Sequence, residues 1–140
     1  MNKRNILLIM YLTVSLNFIS GCGGGKYSDA KKATNEYADI MEEFAAAIDK
    51  SNNASDAAKA MNNFTDRMVK LAPKMEKLQE KYPELQTMDP PEELAESQKR
   101  LEEVSEKFGN SMMKMMSYMN DPEVLKAQER MSQLMQNLQM

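Results

Sequence analysis

Histidine and tryptophan are absent from this chain of 140 residues, which holds one cysteine and five glycines. Each absence removes a class of chemistry. Histidine is the side chain whose ordinary pKa lets it exchange protons between about pH 5 and 8, so a histidine-dependent triad and an imidazole-bound metal are both excluded. A single cysteine forbids an intrachain disulfide, and the fold has to hold by packing alone. Four of the five glycines are Gly21 and Gly23–Gly25, which leaves no glycine-rich loop elsewhere to cradle a phosphate. Basic runs are missing as well. Lys31-Lys32 and Lys99-Arg100 are isolated pairs in a chain of formal charge −3, a balance that argues against nucleic acid as a partner. The acidic pairs Glu42-Glu43, Glu92-Glu93 and Glu102-Glu103 are neighbours along the chain, and on amphipathic helices they point to the polar side. The expectation is a protein that is not an enzyme.

What is present begins at the N-terminus. Asn2-Lys3-Arg4 is a short basic stretch, and Ile6 to Ile19 is mainly apolar, interrupted by Thr13, Ser15 and Asn17. A spanning helix needs about 20 apolar residues, and this shorter run with its basic start reads as a secretory leader. The leader ends in Ile19-Ser20-Gly21-Cys22, a tetrapeptide that resembles the lipobox of bacterial lipoproteins. The resemblance covers residues 1–22. It implies cleavage after Gly21, diacylglycerol on the Cys22 sulfur and acylation of the new amino group, which would use up the only cysteine. Two or three acyl chains, at about 0.8 kcal/mol per buried CH₂, give a stable anchor where one chain is marginal. Gly23 stands where an aspartate would retain such a protein at the inner membrane. The resemblance therefore implies the periplasmic face of the outer membrane if the source is Gram-negative. The covalent lipid is the only cofactor expected.

The organisation that follows is a signal peptide over 1–21, a lipidated tether over 22–27 and a helical domain over 28–140. Taking Lys3 and Arg4 from 18 basic residues leaves 16 against 21 acidic ones, a formal charge of −5. The body is rich in Ala, Glu, Lys, Leu, Met and Gln, all good helix formers. The first helix is expected from Ser28, as N-cap, to about Asp49, with Ala33, Tyr37, Ile40, Met41, Phe44 and Ile48 on its apolar face. Asn53 with Asp56 resembles a capping box for the second. The second helix carries the clearest pattern, with Ala57, Met61, Phe64, Met68, Leu71, Met75, Leu78 and Tyr82 at alternating steps of four and three. Pro73 inside it is a kink point rather than a stop. Asp89-Pro90-Pro91 signals the start of the third helix, which runs to about Met119 with Leu94, Leu101, Val104, Phe108, Met112, Met115 and Met119 as its seam. Gly109 is a weak point within it. Asn120-Asp121-Pro122-Glu123 stops that helix and starts a fourth, with Val124, Ala127, Met131, Leu134 and Leu138 inward. Short connections make neighbours antiparallel. The fold class expected is all-α, an antiparallel four-helix bundle built on a long hairpin of the second and third helices.

Two regions carry the functional expectations. The tip of that hairpin, with Leu78, Tyr82, Leu85, Met88 and Leu94, is expected to outreach the shorter first and fourth helices on the side of the tether. It is either a partner- or membrane-binding tip or a self-packed hairpin end. The methionines form the second region, with eight of the chain's 15 between Met112 and Met140. As helix they continue the apolar seam, so core is the first reading. An adaptable binding groove is the second, and Cu(I) ligation by Met112, Met115, Met116 and Met119 is the third. No other metal site is expected. The function expected is a lipid-anchored envelope protein with a binding or scaffolding role towards an envelope protein partner. A periplasmic immunity or inhibitor protein and a Met-rich Cu(I) or small-ligand carrier are the alternatives.

Overall fold

In the computed structural model, which describes residues 25–86 and 91–137, four helices run Ser28–Lys50 (α1), Ala54–Lys81 (α2), Glu92–Met116 (α3) and Pro122–Asn137 (α4). A 3₁₀ turn over Pro83–Gln86 follows α2. The leader, Cys22, Met88, Asp89, Pro90 and Leu138 lie outside the described residues.

Local chemistry sets most boundaries. Asn53 caps α2, its side chain accepting from the Asp56 N–H at 2.9 Å, while Asp56 Oδ2 turns back to the N–H of Asn52 at 3.4 Å. The box is thus closed one residue earlier than in the usual reciprocal pattern. Pro122 opens α4 with Glu123 in its first turn. Pro73 lies inside an α2 that continues through it. Two boundaries differ from expectation. Ser28 is the first helical residue of α1, and the N-cap is Tyr27, whose side chain makes no capping bond. Tertiary contacts described below hold that end instead. Helix α3 stops at Met116 rather than Met119, where the Ser117 hydroxyl donates to the Lys114 carbonyl at 2.7 Å and tightens the last turn.

Gly109 sits inside the continuous α3, and a Cβ built there meets nothing within 4 Å. Gly109→Ala is therefore expected to stabilise the fold by about 0.5–1 kcal/mol through backbone entropy alone. Urea denaturation followed by circular dichroism checks this; a lower midpoint would mean that the glycine serves a contact.

The fold is the expected all-α helical bundle, but the hairpin of α2 and α3 is not its centre. Helix α1 packs against α3 on one side and α2 on the other, and α4 packs against α2. The ion pairs give the directions. Lys31 pairs with Glu96, and Arg100 pairs with Asp39 and Glu42, so α1 and α3 run parallel. Asp29–Lys81, Glu36–Lys74 and Glu43–Arg67 set α1 antiparallel to α2. Arg130 reaches Asn62 and Asp66, with Val124 packed near Ala57, so α4 runs parallel to α2. Small residues explain the central place of α1. Ala30, Ala33, Ala38 and Ala45 on α1 and Ser97 and Ser111 on α3 are all buried, and short side chains let two backbones approach closely. Exposed ion pairs of this kind contribute at most about 1 kcal/mol each and act mainly on register.

The rings of Phe44, Phe64 and Phe108 bring α1, α2 and α3 together at one point. Their centroids lie 5.1 Å apart for Phe44–Phe64 and for Phe44–Phe108, and 5.7 Å for Phe64–Phe108. The seam read for α2 faces the core throughout its length, from Ala57 to Tyr82.

Candidate functional site

Two ends of the bundle bear on function. At the first, the start of α1 is locked to the end of α2. Tyr27 and Tyr82 stack at a centroid distance of 5.2 Å. The Tyr82 hydroxyl donates to the Lys26 carbonyl oxygen at 2.6 Å and reaches Asp29 Oδ1 at 2.8 Å. Lys81 pairs with Asp29 at 2.6 Å, Lys26 pairs with Glu84 at 2.8 Å, and the Tyr27 hydroxyl donates to Glu84 at 3.2 Å. Each ammonium also lies over a ring, Lys26 over Tyr27 at 4.8 Å and Lys81 over Tyr82 at 4.9 Å. We call this arrangement the clasp. It fixes the position of the first turn of α1 through side-chain contacts, with no capping bond from the N-cap side chain.

The clasp corrects the protruding apolar tip. Tyr82, Leu85 and Leu94 are buried with Tyr27 and Ala30, and Leu78 packs against them half-buried. The first turn of α1 covers the hairpin end, so in this conformation these four side chains form a self-packed end and present no apolar face to a partner. Met88 lies outside the described residues. A hollow beside them, lined by Ala30, Thr34, Met75, Leu78 and Tyr82 among others, has a volume of only about 20 Å³, room for roughly one water molecule.

The charges of the clasp predict its pH range. Lys81 holds the Asp29 carboxyl below the usual carboxylate range, helped by Tyr82, and Lys26 does the same to Glu84. A carboxylate whose pKa falls on folding adds stability above its unfolded pKa, and that contribution is lost as pH drops through the folded value. Asp29 and Tyr82 push Lys81 from 10.5 up to about 12. Its contribution is therefore complete below 10.5 and is lost as pH rises through about 12. The clasp should hold across neutral pH and loosen at both extremes, in acid below about pH 4. These side chains are a third to more than half exposed, so the effect is local fraying rather than unfolding. Ring-proton shifts of Tyr27 and Tyr82 through an acid titration, with those of Phe44 unmoved, are the expected result. Concerted movement of both sets would mean that the clasp and core are one unit.

At the other end, about 35 Å away at 1.5 Å per residue along α1, α3 turns into α4. Lys114 crosses to the end of α1, donating to the carbonyl oxygens of Asp49 at 2.6 Å and Ser51 at 3.0 Å, a cation on a helix C-terminus. The four methionines read as one face divide here. Met115 is fully buried against Phe44, Ile48 and Val124, and Met119 packs half-buried on the same cluster. Met112 and Met116 point outward, 39% and 69% exposed, so the thioether set of Met112, Met115, Met116 and Met119 is not brought together. Met113 joins the outward pair at 66% exposure. Sequence reasoning missed it because it lies off the seam, and exposure alone identifies it.

Ser97 and Ser111 were missed too. Both are 1% exposed and take seam positions of α3. The signal was available: 97, 104 and 111 repeat at seven residues, in phase with 94, 101, 108 and 115. Ser111 lies within hydrogen-bond reach of the Ala45 and Lys107 carbonyls and of Asp49 Oδ1. Ser97 Oγ has no hydrogen-bond partner among the described residues.

Among the described residues no group of three or more histidine, cysteine, aspartate or glutamate side chains is placed to hold a metal, and no helix is long and apolar enough to cross a membrane. Asp39 and Glu42 raise Arg100 above its ordinary value, and burial raises Tyr37. These shifts and those of the clasp carry each group further from neutrality, away from the range in which a general acid or base works at pH 7. No family model, curated protein or solved structure matches this chain.

Proposed function

We propose that the protein is a lipid-anchored envelope protein with a non-enzymatic role, presenting a helical surface to another envelope component. The observation that carries this reading is the spacing between Cys22 and the clasp. Only Gly23, Gly24 and Gly25 separate the lipobox cysteine from Lys26, whose side chain and carbonyl are both bound in the fold. Three residues span at most about 10–15 Å, so lipid on Cys22 holds the clasp end close to a bilayer. The methionine-bearing end then stands roughly 35 Å further out, where a partner meets it.

Labelling with a palmitate analogue and membrane fractionation test this on the full chain and on Cys22→Ser. The expected result is label and membrane association in the first and neither in the second. Identical partitioning of the two would overturn the anchor. Crosslinking in cells then separates the roles. A structural envelope protein captured by the anchored form and missed by Cys22→Ser supports scaffolding, and a toxin or hydrolase supports the masking alternative.

A further inference from the structure

We infer that Met112, Met113 and Met116 form a surface site for a soft monovalent metal ion, Cu(I) or its analogue Ag(I). The site lies at the end of the bundle away from the clasp and does not depend on lipidation.

Exposure selects these residues. Among the described residues only Leu125 joins them as an exposed large apolar side chain; the other three are all thioethers within five positions of α3. Among the described residues no phenylalanine or isoleucine is exposed, and on this face of α3 the three exposed large apolar side chains are methionines, so its outward chemistry is sulfur. Helix geometry brings the three together. Met112 and Met116 are four residues apart and Met113 and Met116 three, so both pairs are surface neighbours with Cβ atoms about 5–6 Å apart. Each side chain has three rotatable bonds to aim its sulfur.

Gly109 supplies an independent observation. Side chains on a helix lean towards its N-terminus and lie over the turn before their own Cα. For Met112 and Met113 that turn contains Gly109, where a Cβ would find open space. The glycine leaves the sulfur atoms room on the side towards which they lean. Lys114, the nearest cation in sequence, is held away by the carbonyl oxygens of Asp49 and Ser51 at the C-terminal end of α1.

The donor set fixes the class of ion. Neutral thioethers select soft ions such as Cu(I) over the harder divalent metals. They also lose no proton on binding, so affinity should not fall in mild acid as it does for thiolate or imidazole ligands.

The test uses the full chain in detergent with ¹³C-labelled methionine methyl groups. On adding Ag(I), the methyl resonances of Met112, Met113 and Met116 should move first, and that of Met115 should stay. Replacing all three by Leu keeps the apolar surface and removes the sulfur. It should cost more affinity than the roughly 10–100-fold typical of losing an outer-shell partner, whereas Met115→Leu should cost none. Competition for Cu(I) by a colorimetric chelator should give the same order at about pH 5 and pH 7. Unmoved resonances of the three, equal binding by the triple Leu variant, or affinity that collapses at the lower pH would each overturn the site. The first readout needs no variant, so it stands even if a substitution disturbs folding.

Discussion

Phe44→Ala is expected to cost the bundle about 3–5 kcal/mol, enough to remove most of the stability of an ordinary domain. Phe44 is 5% exposed and sits on α1, the helix between α2 and α3. Its ring touches both Phe64 and Phe108 at 5.1 Å, and each such aromatic pair adds about 0.5–1.5 kcal/mol beyond the buried area. The loss therefore includes transfer of the ring, two ring pairs and the cavity left behind. The sole cysteine forbids an intrachain disulfide to offset it. Phe64→Ala and Phe108→Ala each remove two ring pairs as well, one of them the wider 5.7 Å pair, and should cost less because both rings are only half-buried. Thermal melts on the three variants check the order, with a drop on the order of 15 °C for Phe44→Ala. Equal drops would mean that the three rings are equivalent and that α1 is not the central element.

That order could not be read from the sequence, and the reason is physical. Amphipathic spacing tells which face of a helix is buried. It does not tell which of two buried faces meets which neighbour. Short connections between consecutive helices favoured a pairing of α2 with α3, yet α1 lies between them. The residues that place it there are Ala38 and Ala45 with Ser97 and Ser111, and their small size leaves little mark in an apolar pattern. Boundaries set by local chemistry were legible: Asn53 and Pro122 act within one turn of themselves. The start of α1 was not, because Ser28 has the chemistry of a cap while Tyr27 and Tyr82, 55 residues apart, supply the restraint. The protrusion of the tip failed for the same reason, and the self-packed alternative is what the burial supports. Leu85 and Leu94 looked uncovered until the first turn of α1 was placed over them. At the methionine end, the seam correctly sent Met115 inward. It misdirected Met112, whose place on the repeat is taken by Ser111.

Val124→Asp is expected to release α4 and leave α1, α2 and α3 folded. Val124 is 0% exposed and, with Ala127, is one of two buried α4 residues in the core. The other three core clusters contain no α4 residue among the described ones. Beyond Ala127 the helix is held to α2 by Arg130 on Asn62 and Asp66, with Met131 and Leu134 only half-buried. A carboxylate at 124 would lack a partner in the core, and burying it costs several kcal/mol. The substitution does not damage the helix itself, since an acid in the first turn suits the helix dipole. The penalty thus falls on docking. Once undocked, a helix of 16 residues is near the length at which isolated helices are marginal in water, so it unfolds. Circular dichroism should lose the signal of about that one helix, and amide exchange should open along α4 while the Phe44–Phe64–Phe108 region stays protected. Val124→Ala, which keeps the site apolar, should cost only about 2 kcal/mol and keep α4 docked. Loss of protection throughout the chain in Val124→Asp would instead show that α4 belongs to a single cooperative unit.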